Sequence, residues 1–475
     1  MSISLTGLAS GLDTAAIIES LMKIERIPYE NLQTRKQELA NEQSIIRSIN
    51  TKLVTLRNAA ADLMYSSSFS LTSAKTSDGS IISVSSGDNA ATGSYQIEVT
   101  QLAQKHVVGS GEFVKDGAPL TGTITFQGNG NSKTITLSGS TIEEMLNNLR
   151  DEINSAKVGV QASVIETSPG KLTLVLTSDK YGTEADMRFG TMPATPDQHT
   201  YIDGDAALLQ ALGLQKADGT INTKQKGQNA MLTVNNIAIE HGGNTLDNVL
   251  PGLTLNLLQK GSSTVTVETD VDKIAAKIQA FVDAYNDVVN TIRTNTAKGA
   301  VLQGDSTLRT LQSQLSELFN GKIGPADYND EKLKFLFEIG LEIDKGVTSG
   351  SNMTGKITFD KEKFKKVFAE KPEEVMYLFT HDEENESNLD GVAVRFYNEL
   401  YNWTRTGNGY LASKITGYDA SIEEITDQME RLDLRLQNRQ RQLETQFAAM
   451  ETALAQLRNQ QNWLASQISS LSLSV

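Results

Sequence analysis

The chain contains no cysteine among its 475 residues, which excludes disulfide frameworks, thiolate nucleophiles and cysteine-based zinc sites. Histidine is almost as scarce. His106, His199, His241 and His381 lie in separate blocks with no HxxxH or HExxH spacing, so neither a metal centre nor a nucleophilic triad is expected. Positive charge is in deficit, with 43 Lys and Arg against 58 Asp and Glu, a net charge of -15 and a pI near 4.9. Nucleic acid is disfavoured as a partner, because affinity there rests on cations that neutralise phosphates. An anionic membrane surface is disfavoured for the same reason. No stretch approaches the ~20 apolar residues that span a bilayer, so no membrane insertion is expected. The opening "MSISLTGLASGLDTAAIIES" lacks a basic region followed by an apolar run, and no cleaved secretory signal is expected.

Local motifs add no chemistry. "HDEENES" is acidic but lacks the alternating oxygen ligands and central glycine of a calcium loop. "GNGNSK" stands between two strand patterns and reads as a hairpin turn, not a phosphate loop. Asp203 and Asp205 stand close together ahead of a short helix, where an N-terminal cap is a plainer reading than acid-base chemistry or a metal site. Arg431, Arg435 and Arg439 form a basic row on a helix face, and Trp403 and Trp463 lie in separate helices as packing residues. No cofactor and no enzymatic activity are expected.

At this length roughly three domains are expected, on a prior of about 150 residues each. The pattern of elements is helix, β, helix, long helix. Asp13 caps "TAAIIESLMKIERI", with Ile17, Ile18, Leu21 and Ile24 on one face, and Pro28 is expected to interrupt or kink the helix. From Leu32 the spacing of three and four visits Arg35, Leu39, Glu42, Ile46, Ile49, Leu53, Leu56, Ala60 and Leu63, a heptad seam on a rod about 50 Å long. Ser-, Thr- and Gly-rich alternating runs from residue 65 onward predict strands and turns, with one amphipathic helix, "TIEEMLNNLRDEINSA". Past Asp270 helix spacing returns, with a strand pair near "FEIGLEIDKG" and "GKITFD", then the helix "KEKFKKVFAEKPEEVMYLF". From Ser421 a long helix is expected, with Leu432, Leu436, Arg439 and Leu443 on its seam.

A chain that leaves along one terminal helix and returns along another makes the two antiparallel. Setting Met64 beside Asp419 makes paired residue numbers total about 483, if both helices follow one heptad seam. Glu42 then falls beside Arg439, and Arg35 between Glu444 and Glu451. The last stretch carries a further stripe through Phe447, Met450, Leu454, Leu457, Trp463, Leu464, Ile468 and Leu471. Opposite its far part the other helix is expected to be broken at Pro28, so this stripe is expected to serve other molecules.

"TGLASGLDTAAIIESLM", "GSYQIEVTQLAQKHVVGSGEF", "TVNNIAIEHGGNTLDNVLPGLTLNL", "AFVDAYNDVVNTI", "LQGDSTLRTLQSQL" and "QFAAMETALAQLRNQQNWLASQI" resemble, in order, the bacterial flagellar hook-associated protein 2 family, the filament-capping proteins. "TIEEMLNNLRDEINSAKVGVQASVIE" is similar to flagellin insertion domains. The resemblance implies a multidomain α+β fold with an antiparallel terminal coiled-coil leg, a mixed helical domain and two β-rich head domains. On this chain these fall at 1–70 and 419–475 for the leg helices, 71–116 and 227–270 for the first head domain, 117–226 for an inserted outer head domain, and 271–418 for the helical domain with its β-hairpin. It implies a ring-like homo-oligomer, a pentamer by expectation, that caps the distal end of the filament, promotes folding and insertion of exported flagellin and prevents its loss. Implied partners are flagellin, the hook-filament junction protein and a cytoplasmic export chaperone that binds the last helix. The implied location is extracellular, at the flagellar tip, reached through the flagellar type III apparatus; a chain exported unfolded also avoids wrong crosslinks by lacking cysteine. The competing reading is a cell-surface adhesin that binds host glycans, which predicts an exposed aromatic groove between 117 and 226.

Overall fold

The computed structural model describes residues 11, 13–87, 90–193, 197–324, 332–383 and 389–472, with side chains of the last helix described as far as Ile468. Helices among them are α1 (Thr14–Ala61), α2 (Ile142–Ala156), α3 (Ala206–Ala211), α4 (Val271–Thr296), α5 (Ser306–Asn320), α6 (Lys361–Glu370), α7 (Pro372–Thr380), α8 (Val392–Thr404) and α9 (Tyr410–Ser472). The chain divides into two compact units, one built from residues 1–69 and 274–475 and the other from 70–273. Helices and antiparallel sheets thus coexist as an α+β chain.

In the helical unit, the Asp13 carboxylate accepts the Ala16 N–H at 3.0 Å and caps α1. Pro28 does not interrupt this helix, contrary to the sequence expectation; α1 runs through it. The carbonyl that proline leaves without a donor belongs to Ile24, a residue 66% exposed, where water can satisfy it. The second half of α1 enters a true core: Ile46, Ile49, Leu53, Leu56 and Ala60 are fully buried. α4 supplies Ile278, Phe281, Tyr285, Val289 and Ile292 at helix spacing. Phe396 of α8 lies edge-on to Phe281 at 5.1 Å and beside Tyr285 at 6.0 Å. Burial of Tyr285 pushes its hydroxyl up to about 12.

Two helix boundaries differ from expectation. "KEKFKKVFAEKPEEVMYLF" is two helices, because Pro372 opens α7 and the residue before a proline avoids helical angles; Lys371 has φ -140°. α9 begins at Tyr410 instead of Ser421. Gly407 (φ 88°) ends the preceding stretch, and a side chain at Gly409 would come within 2.5 Å of the Arg405 carbonyl, so helix resumes directly after this glycine pair. The expected strand pair is present as Leu341–Ile343 with Ile357–Phe359.

The β unit holds two separate hydrophobic cores. The first lies between a five-stranded sheet, ordered Thr72–Thr76, Gly261–Thr269, Gly93–Gln101, Ala230–Val234, Ile237–His241, and a three-stranded sheet, Thr245–Leu250, Leu253–Leu257, Ile82–Ser86. Ile82, Ile97, Leu232, Leu255 and Val265 fill it. The second core joins the hairpin Thr123–Gly128 and Asn131–Thr136, the strand Lys171–Ser178 and helix α2, whose Met145, Leu146, Leu149 and Ile153 face inward. The hairpin turn falls on Asn129 and Gly130, both at positive φ, as a two-residue turn with the strands' own twist requires. The crossing between cores lies earlier than residue 117: Ala103 packs in the first core and Val108 in the second. Val107–Gly109 crosses early because it pairs with Lys171–Ser178, a long-range pairing that local composition does not display.

Candidate assembly surface of the terminal helices

α1 and α9 run antiparallel, and a small set of polar contacts states their register. The Gln43 side-chain amide donates to the Ile415 carbonyl at 3.2 Å and to Asp419 at 2.6 Å. Arg47 pairs with Asp419 at 3.3 Å, and Arg439 reaches Glu25 at 3.4 Å. These groups are half exposed, so each ion pair contributes at most about 1 kcal/mol; they report the register more than they stabilise it.

This register overturns the one read from spacing. Arg439 sits beside Glu25, not Glu42, and seventeen residues of helix separate those two carboxylates, roughly 25 Å along the rod. Glu42 lies instead by Tyr418, whose hydroxyl is held above its ordinary range by burial and then by its bond to Glu42. Arg35 does not reach Glu444 or Glu451; it pairs with Glu38 at 3.0 Å and Glu42 at 3.6 Å on its own helix. The physical reason is that a seam of apolar residues spaced by three and four penalises little a slide from one seam position to another; the observed slide of seventeen residues, from Glu42 to Glu25, is of this kind. What selects among the slides is non-local: α9 starts at Tyr410, and the far half of α1 is occupied elsewhere.

The expected seam is accordingly divided. Leu39 and Ile46 are buried, and Leu436 and Leu443 are buried on α9, with Leu432 and Arg439 half-buried. Ile49, Leu53 and Leu56 are completely buried, which a two-helix seam cannot do alone; here α1 also packs along α8, with Arg57 donating to Thr404 at 2.9 Å, while Lys52 donates to Asp287 of α4 at 2.5 Å. Gln43, Glu25 and Tyr418 were not singled out by sequence reasoning, since their roles depend wholly on register, and Asp419, set beside Met64 from spacing, meets Gln43 and Arg47 instead. Because the chain lacks cysteine, the register can be read by crosslinking. Gln43→Cys with Asp419→Cys is expected to link through a short dithiol reagent, while Glu42→Cys with Arg439→Cys stays unlinked; the reverse pattern would restore the spacing-based register.

Along the terminal stripe, Phe447, Met450 and Leu454 are half-buried. Leu457, Trp463, Leu464 and Ile468 are 60, 62, 53 and 65% exposed. The side chain of Leu471 lies outside the described residues, as does most of the "TGLASGLD" opening. The far stripe is open, yet not for the reason expected, since α1 is unbroken at Pro28. At the observed register Glu25 is already level with Arg439, so α9 runs on past Thr14, the first residue of α1.

His106 is buried; its Nδ1 accepts the Met187 N–H at 2.8 Å and its Nε2 meets the Thr223 hydroxyl at 2.9 Å, and burial holds the ring below its ordinary pKa. Asp205 accepts the Ala207 N–H at 2.7 Å as the cap of α3.

The family description "Flagellar hook-associated protein 2 N-terminus" matches residues 10–106, and "Flagellar hook-associated protein 2 C-terminus" matches residues 227–459. The chain belongs to the flagellar hook-associated protein 2 family. Between those two matches, residues 123–180 match the "Flagellin hook IN motif", which covers the hairpin and α2 of the second β core. Flagellar hook-associated protein 2 of Escherichia coli strain K12 is 27% identical over 487 residues, spanning 98% of both chains. The A-type flagellar hook-associated protein 2 of Pseudomonas aeruginosa is 27% identical over 496 residues, spanning 99% of this chain and 98% of its own. Among solved structures, the D1-D2-D3 domains of the flagellar cap protein FliD from Escherichia coli are similar with a TM-score of 0.59 and 27% identity, covering 79% of this chain and 99% of that one.

Proposed function

We propose that this hook-associated protein 2 chain is the structural cap at the distal end of the bacterial flagellar filament, where it promotes folding and insertion of exported flagellin and prevents its loss. The observation that carries the reading is the exposed apolar end of α9, Leu457 to Ile468, in a chain that aligns over nearly its whole length with the Escherichia coli protein. The mechanism requires no reacting group. Apolar area buried when the stripe docks contributes roughly 25 cal/mol per Å², and a stripe this narrow can be released again as subunits are added beneath the cap.

The finer assignments belong to the same proposal. The chain assembles as a ring, a pentamer; leg segments 1–70 and 419–475 face the filament, and the β-rich segments 71–116, 117–226 and 227–270 form the plate. It travels through the flagellar type III apparatus, with the end of α9 held first by a cytoplasmic export chaperone and later by flagellin and the hook-filament junction protein. The adhesin reading has no support from its own criterion. Among the described aromatics between 117 and 226, Phe126 and Tyr201 are buried, Phe189 is half-buried and Tyr181 alone is exposed, which makes no groove. In cells whose only copy lacks residues 443–475, filaments are expected to be lost and flagellin monomer to accumulate in the medium. Filaments of normal length with no spilled monomer would refute the capping role.

A further inference from the structure

The five-stranded sheet of the first β core ends at Ile237–His241, and among the described residues no strand pairs with its outer side. The two-residue turn Asn235–Asn236, with φ of 48° and 66°, joins it to Ala230–Val234. Such a turn closes on a hydrogen-bonded pair, here Val234 and Ile237. Alternation from that pair directs the backbone groups of Ile237, Ile239 and His241 inward and those of Ala238 and Glu240 outward. The Asn235 N–H, next after Val234, points the other way, to the Gln96 carbonyl at 2.8 Å, in agreement with this parity.

Soluble proteins ordinarily guard a sheet edge with Lys, Pro, a bulge or a covering element. This edge reads Ile-Ala-Ile-Glu-His and keeps unbroken register with its inner neighbour. Ile237 is 69% exposed and Ile239 half-buried, although their cross-strand partners Val234 and Leu232 are buried on the same face. The core-facing side of the sheet therefore overhangs its core at this edge, leaving both apolar side chains and backbone hydrogen-bonding groups without a partner strand.

We propose that Ile237–His241 pairs antiparallel with the same strand of a second copy of this chain, across a twofold axis at Ile239. This register satisfies the parity: Ala238 of each copy and Glu240 of the other form hydrogen-bonded pairs on both sides of the axis. Ile239 meets its counterpart as a non-hydrogen-bonded pair, the closest type, with Cα atoms about 4.5 Å apart. Ile237 then faces His241, and each Glu240, held by the Asn229 amide of its own chain at 2.6 Å, faces Ala238. No like charges oppose, whereas centring the axis on Glu240 would set two carboxylates against each other. Such a contact is isologous, while ring closure needs a heterologous one, so this is an interface additional to any ring contact and independent of the capping role. A five-residue edge buries less than the ~1,200 Å² of a standard stable interface, so the pairing is weak singly and is strengthened when several copies engage together.

The absence of cysteine makes the test direct. In the full-length chain, Ile239→Cys places one thiol on the axis at a Cα separation a disulfide accepts. Mild oxidation at high protein concentration is expected to give a covalent dimer in large excess over Ile165→Cys, a control 47% exposed on the strand Val160–Ser168. Ala238→Pro removes an outward donor and leaves the inner ladder intact, so adding it is expected to abolish the dimer with an unchanged melting curve. Glu240→Pro removes the other outward donor and is likewise expected to abolish the dimer, with a melting curve lowered slightly by loss of the Asn229 contact. Equal dimer from both single thiols, a dimer indifferent to both prolines, or crosslinking only to added flagellin would each overturn the proposal.

Discussion

Replacing Leu457, Trp463, Leu464 and Ile468 together by glutamine is expected to abolish filament growth and to release flagellin monomer, while leaving the protein's thermal unfolding almost unchanged. All four side chains are more than half exposed, so little burial is lost, and surface substitutions of this kind ordinarily change stability by about 0.5 kcal/mol or less each. Glutamine keeps helix propensity close to that of leucine, so the helix itself is preserved. Flagellin spilled into the medium, measured beside an unchanged melting curve, separates a docking stripe from a stretch of structural helix. Normal filaments from this variant would show that the exposed stripe takes no part in capping. The corresponding replacement of Leu436 and Leu443, both buried on α9, is the contrasting case, because it weakens the α1 contact as well.

The largest loss of stability is expected from Phe396→Ala. Phe396 is fully buried and touches both Phe281 and Tyr285. Truncating a buried phenylalanine costs about 3–5 kcal/mol through lost transfer energy and the cavity left behind. The chain supplies its own probe, since Trp403 and Trp463 both belong to the helical unit. Trp403 is 4% exposed, with its indole N–H donating to Gln314 and Glu399 at 3.1 Å. Tryptophan fluorescence therefore follows unfolding of that unit. The fluorescence midpoint in denaturant is expected to fall sharply, while the β-sheet circular dichroism of residues 70–273 keeps its own midpoint. A fluorescence midpoint unmoved by the substitution would mean that this aromatic cluster does not hold the helical unit together.

Much of this protein was legible from periodicity and turn chemistry. The alternating runs of "GTITFQGNGNSKTITLSG" and the Asn129–Gly130 turn specify a hairpin locally, because positive φ and a period of two admit few alternatives. Helix α2 was legible for the same reason, as an amphipathic pattern over "TIEEMLNNLRDEINSA". So was the apolar stripe ending at Ile468, since three-four spacing reports which residues share a face. Caps at Asp13 and Asp205 followed from side chains that reach only two or three residues along the chain.

Wherever two distant segments had to choose each other, local pattern was silent. A heptad seam states that α1 and α9 can pair, and it leaves the slide open; Glu25 opposite Arg439 was decided by the start of α9 at Tyr410 and by the bundle that takes up Ile49, Leu53 and Leu56. Pro28 predicted a break, and the surrounding exposure let the helix continue. The early crossing between the β cores was decided by one strand's pairing with Lys171–Ser178. Sequence alone determined most of the elements and their apolar faces, because those depend on residues within a few positions of one another. Tertiary structure alone decided register, core membership and which apolar residues stay open, because those are set by contacts between residues hundreds of positions apart.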